Sequence, residues 1–291
     1  MKKGSYALIG TGAAFWASIS IFVNALYETG FSALEIVFLR VLSAALIMFV
    51  YIALTNRELF NIHFSDTYYF IGTGIFSIVF FNWCYFTTIK EASVAIAAIL
   101  LYTAPIFVFL MSRMIFKERL SSLKILALLV AVVGCVLISG YFPSGGVLLS
   151  TNMLLIGLGS GFGYALYTIL GKAALEKYDP MTVTAYTFAV ATIGLFPISG
   201  MGAVITASHN IDTLFYIFGL GLIPTVLGYI LYTKGLHYVE AGKASIIAAV
   251  EPVVATTIGI SVFNEILSIW QFAGILMILF AVLLTQKENG I

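Results

Sequence analysis

Apolar residues run along the chain in ten long stretches, near 5–27, 33–54, 67–88, 93–112, 122–139, 152–171, 180–199, 213–233, 243–263 and 269–285, separated by short polar breaks. Crossing the hydrocarbon of a bilayer takes about 20 apolar residues wound as a helix, because backbone groups in lipid must find their hydrogen bonds within their own segment. The pattern therefore predicts an all-α polytopic membrane protein with ten transmembrane helices. Several starts carry local signals. Ser32 and Glu35 have the capping-box spacing, in which hydroxyl and carboxylate satisfy otherwise orphaned amides, and Ser268 and Gln271 repeat it. Asp179-Pro180 offers a cap and a first-turn proline, and Asp212 stands where the eighth helix should begin. The run after Met1-Lys2-Lys3 continues to about Tyr27 without an Ala-x-Ala-like cleavage site, so it reads as a first, uncleaved membrane helix.

Composition agrees: 61% of the 291 residues are hydrophobic and 9% charged, against roughly a quarter charged in soluble domains. The net charge of +1 gives no footprint for nucleic acid; the placement of the charges is what informs. With loops assigned alternately to the two sides, Lys2, Lys3, Arg57, Arg113, Lys117, Arg119, Lys124, Lys172, Lys177, Lys234, Lys243 and Lys287 share one side, 12 of the 14 Lys and Arg. Arg40 and Lys90 remain on the other. The positive-inside rule then puts both termini in the cytoplasm, in a multi-pass protein of the inner or plasma membrane. An odd number of helices would scramble this separation.

The chain also repeats itself. Glu91-Ala-Ser-Val-Ala-Ile-Ala-Ala-Ile-Leu-Leu-Tyr-Thr-Ala-Pro105, running on to Phe116-Lys-Glu118-Arg-Leu120-Ser121, returns as Glu240-Ala-Gly-Lys-Ala-Ser-Ile-Ile-Ala-Ala-Val-Glu-Pro252, running on to Phe263-Asn-Glu265-Ile-Leu267-Ser268. Pro105 and Pro252 are 147 positions apart, and so are Glu118 and Glu265. Each half then holds five helices. Five is odd, so the second copy enters the membrane from the opposite face, giving two inverted repeats over 1–140 and 152–291. The uncharged residues 141–151 link them on the outer side. Inverted repeats are one way to build secondary transporters, with substrate at the repeat interface near the midplane.

Leu101-Tyr-Thr-Ala-Pro105 with Lys117-Glu118-Arg119-Leu120-Ser121, and Glu251-Pro252 with Phe263-Asn-Glu265-Ile-Leu267-Ser268, resemble the EamA-type drug/metabolite transporters. Trp16 in the first helix and Phe38-Leu39-Arg40 in the second fit the same family, and the likeness covers nearly the whole chain. It implies a ten-helix transporter of small polar metabolites, commonly an exporter of amino acids or related compounds. It also implies a central cavity lined by helices one, three, four, six, eight and nine.

On those helices the candidate substrate-binding residues are Trp16, Ser20 and Asn24, spaced four apart on one face, with Asn82, Tyr85, Tyr102, Tyr164, Tyr167, Tyr229, Tyr232 and Glu251. A polar stripe facing lipid would be costly, which favours an inward face for the first three. Any single aromatic among 24 Phe and 16 Tyr also suits plain packing or an interfacial belt. Glu251 follows Lys243 by eight residues, about 12 Å along its helix. It must be protonated, paired or exposed to a wet cavity. Its counterpart by the 147 offset is Ala104, so the architecture does not itself require an acid there. Arg40 lies about 12 Å into the second helix and is expected to snorkel to the outer face, with a clamp on a substrate carboxylate as the alternative.

Glu118 and Glu265, recurring on opposite faces, read as structural residues of the helix–turn–helix, and Pro105 and Pro252 as shape-giving bends or hinges. Gly157, Gly159, Gly161 and Gly163 lack the spacing and following lysine of a phosphate loop and read as close helix packing. His63, His209 and His237 are scattered, Cys84 and Cys135 lie inside apolar runs, and no metal site, disulfide, catalytic constellation or cofactor is expected.

The first reading is a secondary transporter exporting an amino acid or related amine by alternating access, with no nucleotide-binding motif. Uptake of a quaternary ammonium compound such as choline, held by a ring of Tyr and Trp, is a second. An intramembrane lipid-modifying enzyme is a weaker third, lacking a nucleophile or metal cluster. The expected partners are the small-molecule substrate and the bilayer, with a coupling proton and a homodimer left open.

Overall fold

The computed structural model describes residues 2–139, 141, 150–208 and 210–287. The proposed linker at 141–151 falls largely outside the described residues, as does His209. Among the described residues the regular structure is helical, without strands. In chain order the apolar helices are α1 (Gly4–Glu28), α2 (Ala33–Thr55), α3 (Phe64–Glu91), α4 (Val94–Ile115), α5 (Ser122–Ile138), α6 (Thr151–Ala174), α7 (Pro180–Gly200), α8 (Ile211–Tyr238), α9 (Ala241–Phe263) and α10 (Ile269–Thr285). Eight are long and apolar enough to cross a membrane, and α5 and α10 are shorter. α7 continues as helix to Ser208, beyond its expected end, with Pro197 inside it.

The caps read from sequence are made. Ser32 N–H donates to Glu35 Oε2 at 2.8 Å while Glu35 N–H donates to Ser32 Oγ at 3.4 Å. Ser268 and Gln271 exchange the same pair at 2.9 and 3.2 Å. Asp179 Oδ1 accepts from Met181 N–H at 2.8 Å. The cap of α8 is Asn210, whose Oδ1 accepts from Asp212 N–H at 2.8 Å, so Asp212 sits in the first turn.

The main packing pairs are α1 with α8 and α9, α6 with α3 and α4, α2 with α7 and α8, α3 with α7, α4 with α9, and α5 with α10. Small residues set the closest of these. A Cβ added to Gly274 would lie 2.6 Å from the Gly134 carbonyl, fixing α10 on α5. One added to Gly161 would lie 2.8 Å from the Leu100 carbonyl, so the glycine run of α6 does serve close packing. One added to Gly12 would stand 2.7 Å from the Gly228 carbonyl and 2.8 Å from the Tyr232 nitrogen. Those atoms are backbone and cannot turn aside. Gly12→Ala should therefore destabilise the protein by about 1–3 kcal/mol, read as a lower Tm in detergent. Gly10→Ala, whose Cβ would meet only Ile247 Cγ2 at 3.9 Å, is the control expected to leave Tm unchanged.

Five of the helices are not regular throughout. α4 is interrupted between Leu101 and Ala104, immediately before Pro105, and α9 at Ala249, just ahead of Pro252. A proline supplies no amide hydrogen to the preceding turn, so the ladder breaks there. α1 is interrupted at Ser18. α3 and α8 each contain a π-helical segment, Gly72–Val79 and Gly221–Leu227, the second around Pro224.

At one end of the bundle Asp66, in the first turn of α3, accepts hydrogen bonds from Lys177 Nζ at 2.7 Å and Tyr178 Oη at 2.8 Å. Tyr178 Oη in turn accepts from His63 N–H at 3.0 Å, tying the α6–α7 turn to the start of α3. The hydrogen bond to Asp66 holds the Lys177 ammonium above its ordinary pKa.

Candidate functional site

The interruptions of α4 and α9 meet deep in the bundle. Between them is a cavity of about 30 Å³ walled by Leu101, Tyr102, Ala104 and Pro105 of α4, Ser245, Ala248, Ala249 and Glu251 of α9, Cys135 of α5 and Tyr164 of α6. Tyr164 is shared with a second cavity of about 10 Å³, lined also by Trp16, Ser77, Ile78, Phe81, Tyr167, Thr168, Tyr229 and Tyr232. A water needs roughly 10–15 Å³ of such space. The two cavities thus have room for a few waters, far from the ~300 Å³ of typical small-molecule pockets. A metabolite would enter this region only as the surrounding helices move apart. A larger groove of about 750 Å³ lies between α2, α8 and the end of α7, but its walls are almost wholly aliphatic and aromatic, as Leu39, Leu46, Val50, Leu214 and Phe218 illustrate.

Trp16 is the hub of the aromatic wall. Its ring centroid lies 6.1 Å from Tyr164, 5.0 Å from Tyr229 and 4.8 Å from Tyr232, and Tyr167 stands 4.9 Å from Tyr229. Two of these hydroxyls are already engaged. Tyr167 Oη pairs with Thr233 Oγ1 at 2.8 Å and Tyr232 Oη with Thr168 Oγ1 at 2.7 Å, stitching α6 to α8. Tyr164 Oη donates to Glu251 Oε2 at 3.3 Å, joining α6 to α9 just past its interruption. The Trp16 indole N–H and the Ser77 hydroxyl are buried with no hydrogen-bond partner among the described residues.

Seven of the eleven residues named from sequence line these cavities: Trp16, Tyr102, Tyr164, Tyr167, Tyr229, Tyr232 and Glu251. Tyr85 stands 6.2 Å from the Phe81 ring and lines neither of these two cavities. Asn82 is buried, but its amide donates to the Ile78 carbonyl at 2.7 Å on its own helix. The stripe on α1 divides at the Ser18 interruption: Ser20 is half-buried, donating to the Ala17 carbonyl at 3.3 Å, and Asn24 is exposed. Neither of the two lines either of these two cavities.

Arg40 corrects the sequence reading. It does not reach out to water or headgroups. Its side chain is buried, 7% exposed. Its helix packs against α7 and α8, and the residue is buried, so the free path to the surface assumed for snorkelling is missing. Ser77, Phe81 and Thr168 were not anticipated, although helical spacing pointed to them. Thr168 follows Tyr164 by one turn, and Ser77 and Phe81 precede Tyr85 on one face.

The two ends of the bundle treat the repeated glutamates differently. Glu118, in the α4–α5 turn, accepts from the N–H groups of Ala241 at 2.7 Å and Gly242 at 3.2 Å, capping α9 from the other half. Beside it Lys124 pairs with Glu240 at 2.8 Å and Lys243 with the same carboxylate at 3.5 Å. Glu265, beyond the far end of α9, is exposed, and its carboxylate accepts no hydrogen bond among the described residues. The start of α4 is capped locally instead, Ser93 Oγ accepting from Ile96 N–H at 3.2 Å. The turns themselves match: Lys117 and Asn264, 147 positions apart, both have φ of 55°.

The sequence profile of the EamA-like transporter family matches twice, over residues 4–140 and 151–286. An uncharacterized transporter of Archaeoglobus fulgidus is 28% identical over 99% of this chain and 98% of its own length. The uncharacterized transporter YwfM of Bacillus subtilis is 27% identical over 97% of this chain and 94% of its own. YicL of Salmonella typhimurium, an uncharacterized inner membrane transporter, is 22% identical over 99% and 96%. A solved crystal structure shares the fold with a TM-score of 0.80 at 15% identity, over 99% of this chain and 98% of that one. With both halves matched and a helical bundle built for lipid, the chain is a multi-pass membrane protein that belongs to the EamA-like transporter family.

Proposed function

We propose that this protein is a secondary transporter that exports a small metabolite, an amino acid or related amine, by alternating access. Its ten helices act as two inverted five-helix repeats, 1–140 and 152–291. The observation that carries this reading is the unequal use of Glu118 and Glu265. Sequence-equivalent glutamates sit at opposite ends of the bundle; one ties its turn to the other half, and the other does not. An inverted repeat can exchange the two conditions, so that Glu265 reaches the first amides of α4 when Glu118 leaves those of α9. The packing supports the exchange. α1 on α8 corresponds to α6 on α3, α1 on α9 to α6 on α4, and α2 on α8 to α7 on α3. The broken helices α4 and α9 correspond as well, and Glu251 and Tyr102 stand at their breaks.

The distribution of Lys and Arg supports a cytoplasmic position for both termini and the Glu118 end, with the protein in the inner or plasma membrane. Cysteines introduced singly into a background lacking Cys84 and Cys135 test the orientation. A cysteine near Arg119 should react only from the cytoplasmic side and one near Lys90 only from outside; the opposite result reverses the topology. The transport reading is tested in proteoliposomes with imposed proton or sodium gradients and a broad metabolite panel. Correctly folded protein that moves none of them would overturn it. The Trp16, Tyr164, Tyr229 and Tyr232 rings also suit a quaternary ammonium ion, whose faces they would meet, so choline belongs in the panel.

A further inference from the structure

Among the described residues three ion pairs occur, and all three lie at the Glu118 end of the bundle. Two of them join the halves. Lys124 of the first half meets Glu240 of the second at 2.8 Å, and Asp66 of the first meets Lys177 of the second at 2.7 Å. In each pair one side chain is withdrawn from water, Lys124 at 5% and Asp66 at 6% exposure, while its partner stays about half-exposed. Other polar contacts brace the same turns. Tyr178 Oη donates to Asp66, and Glu118 accepts from the first amides of α9. Lys172 Nζ donates to the carbonyls of Leu236 at 3.0 Å and Val239 at 2.6 Å, where α8 ends.

The opposite end repeats the geometry without these charges. Ser32 and Asp179, which cap α2 and α7, keep the 147 offset, as do the left-handed turn residues Lys117 and Asn264. At that offset Lys177 and Tyr178 become Gly30 and Phe31, Asp66 becomes Thr213, Lys124 becomes Gln271 and Glu240 becomes Ser93. Of the charged groups that join the halves, Glu118 alone keeps its counterpart, Glu265. Gln271 is moreover committed to its own helix, accepting from Ser268 N–H at 2.9 Å. A closed Glu265 end can therefore reuse the helix cap but neither of the cross-half ion pairs.

We infer that these pairs form an ionic lock at the Glu118 end that sets the resting direction of the empty protein, closed there and open at the Glu265 end. The inference rests on the alternating-access reading and its orientation, and adds that the two closed states are unequal. Each pair has one nearly buried member, so it resists opening more than a surface pair does, and the half-exposed partner is left for water to satisfy. Ligand arriving at the Glu118 end finds only the fraction of molecules in which the lock is broken, and its apparent affinity falls by that fraction. Ligand at the Glu265 end meets the major form. The two faces of one transporter thus differ in apparent affinity although they share one site.

Spin labels read both ends in the full-length protein, reconstituted in liposomes on a background lacking Cys84 and Cys135. Cysteines replacing Arg119 and Tyr238 span the Glu118 end, and cysteines replacing Ile266 and Glu91, their counterparts at the 147 offset, span the other. Without ligand the first pair should give one short distance and the second a longer one. Lys124→Gln with Asp66→Asn removes the buried member of each pair. It should add a population with the two distances reversed, shifting the ratio by about tenfold or more. Raising the salt to about 1 M, where the Debye length is ~3 Å, should move the wild type the same way by a few fold and leave the double variant unmoved. Should the double variant fail to fold, a wild type indifferent to salt overturns the lock. A wild type divided equally between the two forms, or resting open at the Glu118 end, overturns it too. So does a folded double variant that keeps the wild-type distances while added metabolites still change them. In those cases alternating access survives. Distances that neither salt, the substitutions nor the metabolite panel changes overturn the alternating-access reading itself.

Discussion

Glu251→Gln is expected to abolish transport while leaving a folded, membrane-inserted protein with a Tm close to that of the wild type. The substitution keeps the shape of the side chain and an oxygen that can accept from Tyr164 Oη, the one hydrogen bond the carboxylate makes among the described residues. It removes only the charge and the exchangeable proton. The structure around it does not depend on an acid, because the repeat places Ala104 at the equivalent break in α4. The charge, by contrast, has two prospective roles, meeting a substrate ammonium and exchanging a proton. Removing one member of a buried, interacting charge pair typically costs about 2–5 kcal/mol. Placed in the transport barrier, that is a loss of roughly thirty-fold or more. Tyr164→Phe removes a neutral partner and should cost no more than about tenfold. Uptake into proteoliposomes over a pH series separates the roles. Wild-type rates with unchanged pH dependence in Glu251→Gln would sink the assignment.

Much of this site was legible in the sequence for a physical reason: lipid leaves few polar positions, and each must be justified. Glu251 stood out as an acid about 12 Å inside an apolar run, and Tyr164, Tyr229 and Tyr232 as aromatics on helices that the resemblance brings together. The caps at Ser32 and Ser268 were readable because a capping box is written in residues three apart. Arg40 was misread because depth along a helix was weighed without knowing its rotation. Snorkelling requires a free path along the helix, and Arg40 is buried on a helix that packs against α7 and α8. The role of Glu118 was hidden for a related reason. Its partners, the amides of Ala241 and Gly242, are more than 120 residues away and belong to backbone, which a side-chain pattern does not report. Ser20 and Asn24 show the limit of stripes, since the face they share with Trp16 ends where α1 is interrupted at Ser18.

Glu118→Ala should open the end of the bundle where α9 begins, and the opening should be measurable apart from any loss of stability. The carboxylate satisfies two of the first amides of α9, whose own N-cap residue, Glu240, makes no side-chain cap. It also brings a negative charge to a helix N-terminus, which the helix dipole favours. Hydrogen bonds to a charged group contribute about 1.5–3 kcal/mol each, part of which water recovers once the end opens. A net 1.5–3 kcal/mol moves an open–closed equilibrium by about 10- to 150-fold. Ser245 is a suitable reporter, being buried and facing the cavity beside Glu251. In a Ser245→Cys protein lacking Cys84 and Cys135, Glu118→Ala should speed thiol labelling from that end by tens of fold. Glu118→Gln, which keeps one good acceptor, should fall between the two. Glu265→Ala should leave labelling at Ser245→Cys unaltered, because the exposed Glu265 carboxylate accepts no hydrogen bond among the described residues. Equal labelling in the wild type and Glu118→Ala, with Tm lowered, would make Glu118 an ordinary helix cap and remove the asymmetry on which alternating access is argued.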